Sequence, residues 1–382
     1  MSDIVDDQDF EISEEQEIPE EEKYLKKLSQ ISSEIFSSPS DPDIQTIVKR
    51  IDDRDLILRP KFQRSEVWDD ARKSKLVESV FLNLPVPPVF LAEDEDGTKV
   101  VVDGQQRLQS IDDFFHNRLT LKGLEIAKDL NGLKFQDVSR QLDRRFKQRV
   151  LRVLTISYNA EIDVRFLIFE RLNTGSVPLV DQEIRNATLS GTFNDLLNEL
   201  ATDKHFLSAI GAKSADKRLR HHELILRFFA VRFRFKQYST PLKLFLSNYM
   251  KENRRLKTES RSDLLEAFNN GIENCQTVFA KHAFKKLIAE TRKYQKPLSR
   301  AVFELQMAVL SRLDKAMVKD RASEIKRVFE ELYNNQNFNE LLTRGIDHRK
   351  RFYRRFSMFV AALDSINIVS PLTTEFPDNW DT

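Results

Sequence analysis

The chain has 382 residues, with 61 lysines and arginines against 60 aspartates and glutamates, so its formal net charge is +1. This length allows two domains, since single domains usually span ~100–200 residues. The lone cysteine, Cys275, excludes an intramolecular disulfide and any zinc site built from several cysteines.

The sequence shows neither the pattern of a signal peptide nor that of a membrane-spanning helix. The first residues lack the basic region and apolar run of a signal peptide, and no stretch approaches the ~18 consecutive apolar residues of a membrane-spanning helix. We therefore expect a cytoplasmic protein with no membrane partner.

The charge is unevenly distributed along the chain. Residues 1–22 hold 11 acidic residues and no lysine or arginine, which leaves 61 basic against 49 acidic residues in the remainder. We expect residues 1–40 to be a largely disordered acidic tail with one short amphipathic helix within 25–35. The alternative is that the tail competes with nucleic acid for the basic body of the protein.

Residues 41–200 are predicted to form an α+β domain, because helical and strand patterns alternate there. The acidic turn at 94–97 favours a hairpin between its two neighbouring strands. The predicted elements are a helix at 72–84, strands at 87–93 and 99–103, a helix at 105–115 and a strand at 149–158.

Beyond residue 200 the strand signals fade and helical periodicity dominates, so we expect a helical domain at 201–370 and a C-terminal tail at 371–382. Cys275 falls in a helical context. One apolar stripe is formed by Val302, Leu305, Val309 and Leu313, and a second by Val328, Leu332 and Phe338.

A polar cluster, Asp103-Gly104-Gln105-Gln106-Arg107, stands between the strand at 99–103 and the following helix. Gly104 allows a sharp turn, and the first N–H groups of the helix then form an anion site. Asp103 could bind Mg²⁺ or orient a water molecule, and Arg107 could hold a phosphate. The alternative is an ordinary Asp helix cap with surface Gln and Arg side chains.

Three further blocks accompany this cluster: PKFQRSEVWDD at 60–70, NLPVPPVFL at 83–91 and IFERLNTGSVPLVDQEIRNA at 168–187. Together they resemble the N-terminal domain of GmrSD-type restriction endonucleases over about residues 44–230. The resemblance implies a ParB/sulfiredoxin-like α+β fold, followed here by the all-helical domain.

The resemblance also implies a function and a site. In such relatives a Gly-x-x-Arg turn, here Gly104 to Arg107, holds nucleotide phosphates, and the family is associated with nucleotide-stimulated, modification-dependent cleavage of foreign DNA. It implies nucleoside triphosphate and Mg²⁺ as cofactors, with Asp103 and Gln105–Arg107 in the reaction. The residues implied around the same pocket are Arg64, Arg171, Asn173 and Thr174. The alternative for the block at 168–187 is purely structural: one helix ends at a cap, and VDQE opens the next helix by an Asp-initiated cap.

The chain departs from the full-length family in its histidines. A His-Asn-His nuclease needs histidines around one metal, but the six histidines do not cluster in sequence, and neighbours such as His221 and His222 point about 100° apart on a helix. We expect the nuclease to be absent, replaced, or supplied by a partner chain.

Residues 213–257 form a basic segment, with 13 lysines and arginines against three acidic residues. Its arginines interleave with aromatics, which suits a DNA or RNA backbone. The alternative is a core-facing stripe of Leu224, Phe228, Val231 and Phe235 with a solvated basic face. The candidate nucleic-acid contacts are Arg227, Arg232, Arg234 and Lys236.

The sequence contains no Walker-type loop, no dinucleotide fingerprint and no serine nucleophile elbow. The resemblance, together with the polar cluster, therefore implies as the preferred function a nucleotide-binding and hydrolysing module of a prokaryotic restriction or anti-phage system that acts on or senses DNA. One alternative is a non-catalytic adaptor that binds nucleotide or nucleic acid and recruits a separate nuclease. A ParB-like DNA nuclease ranks last, and no pattern fixes an oligomeric state.

Overall fold

The computed structural model describes residues 39–58, 68–157, 168, 180–189, 191–216 and 218–380. The acidic segment and the short helix predicted within 25–35 lie outside these ranges. Within them, no helix is long and apolar enough to cross a membrane.

The first part of the chain is an α+β unit, as predicted. Its first two helices begin at aspartate caps, since Asp43 accepts a hydrogen bond from Thr46 N at 2.7 Å and Asp69 accepts one from Arg72 N at 2.8 Å. The elements are α1 (Ile44–Asp52), β1 (Leu56–Ile57), α2 (Asp70–Phe81), β2 (Val89–Glu93), β3 (Lys99–Asp103), α3 (Gln105–Phe115), α4 (Arg140–Lys147), β4 (Val153–Ile156) and α5 (Asp181–Thr188).

Four strands form one mixed sheet in the order β1-β3-β2-β4. β2 and β3 are the predicted antiparallel hairpin, and β1 and β4 add to its two sides in parallel. α2, α3 and α4 pack on one face of this sheet around a first core, in which Val77, Val101, Ile111 and Phe146 are all buried. Because β3 is an inner strand and α3 packs on the sheet through the same core, the end of β3 and the start of α3 have fixed positions relative to each other.

The second part is helical, as predicted, but it also contains one hairpin that the sequence analysis missed. Most side chains of its strand at 293–298 are exposed or half-buried, so no apolar alternation marks it. The elements are α6 (Thr192–Thr202), α7 (Lys204–Ile210), α8 (Arg220–Arg234), α9 (Leu242–Glu252), α10 (Thr258–Phe279), β5 (Lys285–Ile288), β6 (Lys293–Leu298), α11 (Arg300–Leu310), α12 (Lys315–Asp320), α13 (Ala322–Glu331), α14 (Gln336–Leu341) and α15 (Arg349–Asp364).

A second core fills this helical part. The first predicted stripe, on and just after α11, is buried, and so is the stripe of α8 from Leu224 to Phe235; of the second predicted stripe, Val328 and Phe338 are buried and Leu332 is partly buried. Cys275 is also buried in this core on α10. α6 packs here too, although the sequence analysis assigned it to the first domain.

The C-terminal segment, expected as a tail, is tied to the second core. Phe376 and Trp380 pack against this core. Arg312 donates two hydrogen bonds to the Glu375 carboxylate at 2.9 and 2.7 Å. Residues 371–380 are therefore part of the folded helical unit.

Helix α5 connects the two parts. Its Ile184 is buried with Ala92, Val102 and Ile156 in a small third core on the sheet. On another side, Arg185 of α5 bonds to Ser247 of α9 at 3.1 Å. The helix thus packs at once on the α+β unit and on the helical unit.

Candidate functional site

The turn after β3 brings the predicted polar cluster to the start of α3. Asp103 ends the strand, Gly104 adopts a left-handed conformation with φ of +94°, and the helix begins at Gln105. The N-cap is Gly104, and no side chain among the described residues caps this helix start, so the Asp-cap alternative is wrong. Its first N–H groups and the positive end of the helix dipole together favour an anion.

Asp103 and Arg107 form an ion pair across the turn. Arg107 Nη2 donates to Asp103 Oδ2 at 2.5 Å and to the carbonyl of Pro88 at 3.2 Å. The Arg107 side chain is 14% exposed and that of Asp103 is 42% exposed. Arg107 Nε is buried and has no hydrogen-bond partner in the described part of the chain. The guanidinium is therefore held in the turn with one donor unsatisfied, while the carboxylate reaches solvent.

Gly104 is required by both conformation and space. A Cβ atom at this position would lie 3.0 Å from Arg107 Nη2 and 3.0 Å from Val89 Cγ2. Any other residue would therefore push against the arginine as well as adopt a strained φ.

The two glutamines begin the helix. Gln106 Oε1 accepts a hydrogen bond from Trp68 N at 3.2 Å, which ties the end of the 60–70 block to the turn. Gln105 is half-buried. The other residues predicted around this pocket, Arg64, Arg171, Asn173 and Thr174, lie outside the described residues, so their convergence on the turn stays a prediction.

The end of the block at 168–187 forms α5, which begins at Asp181, so its N-cap lies one residue before the predicted Asp cap. The N-cap is Val180, whose N–H donates to Glu183 Oε2 at 2.8 Å, so the cap is made by Glu183 and not by Asp181. Arg185, which the sequence analysis did not single out, is almost fully buried. The Gln-Glu-x-Arg-Asn pattern at 182–186 could have pointed to this arginine, but the sequence does not show that it faces the helical unit.

The basic segment is less available to a ligand than its sequence indicates. Arg227 is buried, with Nε 3.0 Å from Glu223 Oε1 and Nη1 3.1 Å from Asp347 Oδ1. Its assignment to an exposed basic face is therefore wrong, because acidic partners hold it inside the helical unit.

The other three cations of that segment are nearer the surface. Burial, with the charge of Arg312 adding to it, lowers the pKa of Arg232 to about 10, and its guanidinium lies 5.2 Å from the Phe233 ring. Arg234 pairs with Glu252 at 2.8 Å, and Lys236 is exposed. Of these three cations, Arg234 is therefore the one with an ion pair to a described residue.

A different basic surface lies on α4, a helix that was not among the predicted elements. Arg140, Arg144 and Arg145 are exposed, and none has an ion pair with any described residue. Only Phe146 of this helix is buried. We call Arg140, Arg144 and Arg145 the α4 arginine face.

The histidine pair does not form a metal site. His221 Nδ1 accepts from Asp216 N at 3.2 Å, whereas His222 Nε2 lies 3.0 Å from Asn198 Oδ1. The two rings thus have different partners, as the helix geometry predicts.

Among the described residues, one group has metal-ligating atoms within reach of each other: Asp52, Asp112 and His116. Asp112 also forms an ion pair with Arg118, and burial raises the pKa of the Asp112 carboxyl despite that pair. With a single histidine, this group does not supply the histidine cluster of a His-Asn-His nuclease.

One protein family matches the part of the chain that contains the sequence blocks around the turn. The family described as GmrSD restriction endonuclease, N-terminal domain, matches residues 44–190, which span the turn and α5. A search of curated proteins found no match to the chain. The chain therefore carries, at residues 44–190, an N-terminal domain of the GmrSD restriction endonuclease family.

Proposed function

We propose that this protein is a component of a restriction or defence system and that its β3–α3 turn binds and hydrolyses a nucleoside triphosphate. The observation that carries the proposal is the arrangement at Asp103–Arg107: an uncapped helix start, a glycine with no room for a side chain, and an arginine beside a solvent-reaching carboxylate. This arrangement suits an anion that brings its own negative charge to the turn.

The two charged residues of the turn have complementary roles in this proposal. The phosphates would compete with Asp103 for the Arg107 guanidinium, whose planar fork suits phosphate oxygens. Positive charge at that point stabilises the charge that develops on the transferred phosphoryl group.

The residues present also fit a magnesium ion. Mg²⁺ is usually held by one or two carboxylates together with substrate phosphates, and it neutralises phosphate charge. Asp103 would supply one such carboxylate, because its side chain reaches solvent. The glutamine amides would orient the nucleotide or the attacking water.

The test is phosphate release from ATP, GTP, CTP and UTP with Mg²⁺, with and without DNA, for the full chain and its Arg107→Ala variant. Arg50→Ala, an exposed arginine of the same unit, is the matched control. We expect turnover by the wild type and the control, and its loss in the variant with the fold retained by circular dichroism. Equal turnover in the variant would remove the turn from catalysis, and no turnover with any nucleotide would contradict hydrolysis.

The α4 arginine face favours a second candidate function, a non-catalytic adaptor that binds nucleic acid and recruits a nuclease. Three exposed arginines that have no ion pair to any described residue, on one short helix, suit the phosphate backbone of DNA. The two functions are compatible, because this face and the turn share no residue. A protein that binds DNA through α4 but releases no phosphate would be an adaptor.

A further inference from the structure

A pocket of about 400 Å³ lies where α5 meets the helical unit. Its walls come from α5, α8, the start of α9 and residues 347–348. We call it the α5 pocket. Its size falls in the range of ~300–1,000 Å³ found for small-molecule sites, and none of its lining residues belongs to the β3–α3 turn.

The floor of the α5 pocket contains a buried cation. The Arg185 side chain is 1% exposed, and its guanidinium donates to the Ser247 hydroxyl at 3.1 Å, the Gln182 amide oxygen at 3.0 Å and the Lys243 carbonyl at 3.2 Å. Its Nη1 lies 3.9 Å from Glu223 Oε2. Burial outweighs the nearby carboxylates and lowers the pKa of Arg185 to about 10. Additional negative charge in the pocket would stabilise this cation.

Next to Arg185 the polar groups are incompletely satisfied. Gln182 is 1% exposed, and while its oxygen accepts from Arg185, its amide nitrogen is buried with no partner within the described ranges. Gln182 does not itself line the pocket, so it acts on a ligand there only by holding the Arg185 guanidinium.

Two helix starts contribute to the same walls. α9 begins after Pro241 and α15 begins after His348, both of which line the pocket, and neither start has a side-chain cap. Lys243, in the first turn of α9, also lines it. The lining of the pocket therefore combines a lysine, two positive helix ends and the buried arginine.

Carboxylates also line the pocket. Asp181 stands at the start of α5, and Asp347 accepts from Arg227 at 3.1 Å. A simple inorganic anion would be repelled by these groups, whereas a hydroxyl group of a larger ligand would donate a hydrogen bond to Asp347.

We propose that the α5 pocket binds a small phosphorylated molecule that carries hydroxyl groups, of the sugar phosphate or nucleoside monophosphate class. The phosphate contacts Lys243 and the starts of α9 and α15, near Arg185, and a hydroxyl group contacts Asp347. This goes beyond the nucleotide proposed at the turn, because a different set of residues holds a different ligand between the two units.

Calorimetric titration of the full chain with ribose 5-phosphate tests the proposal, with ribose and inorganic phosphate as comparison probes. Removing one charged contact should raise the Kd about tenfold in Lys243→Ala. Lys251→Ala, an exposed lysine of the same helix, should leave the Kd unchanged. Asp181→Asn should lower the Kd, because it removes a negative charge near the phosphate.

The opposite signs expected for Lys243→Ala and Asp181→Asn separate a binding site from general destabilisation, which would weaken both variants. No binding of ribose 5-phosphate, or equal affinity in the lysine variants, would overturn the proposal. The Arg107→Ala variant should keep full affinity even though it loses nucleotide hydrolysis. If it loses ribose 5-phosphate as well, the phosphate binds at the turn and the α5 pocket is excluded.

Discussion

The Arg107 guanidinium lies 2.5 Å from the Asp103 carboxylate, one helical turn away along the chain. The two residues belong to different elements, since Asp103 ends a strand and Arg107 lies in the first turn of a helix. Their contact is possible because Gly104 turns the chain through a left-handed conformation. In the absence of a ligand, each charge is thus compensated by the other.

Replacing Gly104 with alanine should destabilise the protein and disturb the turn. The left-handed φ costs about 1–2 kcal/mol for a residue with a Cβ, and the new methyl group would press on Arg107 and Val89. Chemical denaturation measures the free energy of unfolding, and the rate of phosphate release shows whether the turn still functions.

Gly132→Ala is the matched control for this change. Gly132 has φ of +88°, but a Cβ there would meet nothing within 4 Å. We expect the control to lose only the conformational part of the stability and to keep its activity. If Gly104→Ala and Gly132→Ala lose the same free energy of unfolding and both keep their activity, the close contact between Gly104 and Arg107 contributes to neither stability nor activity.

The contact between Arg254 and Asp94 should hold the β2–β3 hairpin to the helical unit. The two side chains are 13% and 12% exposed and form a close ion pair. Arg254→Ala should therefore lower the free energy of unfolding by about 1–3 kcal/mol, because a poorly solvated carboxylate loses its partner. Denaturant titration checks this.

The adjacent Arg255 offers a comparison on the surface. It pairs with Glu95 at 3.0 Å, but its side chain is 72% exposed. Because exposed ion pairs contribute about 0–1 kcal/mol, Arg255→Ala should have little effect. A loss as large as that of Arg254→Ala would contradict the importance assigned to burial.

His222 should make stability fall as the pH falls from 7 to 5. Burial, with the charge of His221 adding to it and that of Asp216 opposing it, lowers the pKa of His222 to about 4 from 6.5. Between these values the unfolded chain binds a proton that the folded protein refuses, so stability is lost toward low pH. The expected loss over this range is about 2 kcal/mol.

The His222→Gln variant isolates this contribution, because glutamine can still donate to Asn198 but does not titrate. Its free energy of unfolding, measured at both pH values, should fall by about 2 kcal/mol less than that of the wild type. An unchanged difference would show that His222 is not the responsible group.

The two basic surfaces should differ in DNA binding. Neutralising the α4 arginine face by substituting Arg140, Arg144 and Arg145 with alanine should weaken DNA binding and reduce its salt dependence, because each phosphate contact releases a counterion. Neutralising Arg232 and Arg234 together should have a smaller effect, since Arg234 is paired and Arg232 is half-buried. Fluorescence anisotropy at several salt concentrations compares the two sets of variants, and the reverse order would assign DNA binding to Arg232 and Arg234 of α8.

Local patterns determined the elements around the turn. The strand at 99–103 and the helix at 105–115 have the predicted bounds, because a run of valines, a glycine and a helical apolar repeat are all short-range signals. The helix predicted at 72–84 is present at Asp70–Phe81, where Asp69 caps its start. The same signals predicted that Asp103, Gly104 and Arg107 are neighbours in one turn.

Only the tertiary structure decided which charges are buried and which strands pair. Arg227 reads as a surface cation beside its neighbours in sequence, yet Asp347, 120 residues away along the chain, pairs with it inside the protein. Arg185 likewise bonds to Ser247 of a distant helix. The hairpin at residues 285–298 forms because β5 and β6 pair with each other, although neither strand carries an apolar alternation. Periodicity records which face of one element is apolar, but burial depends on the element packed against it, and that partner lies far along the chain.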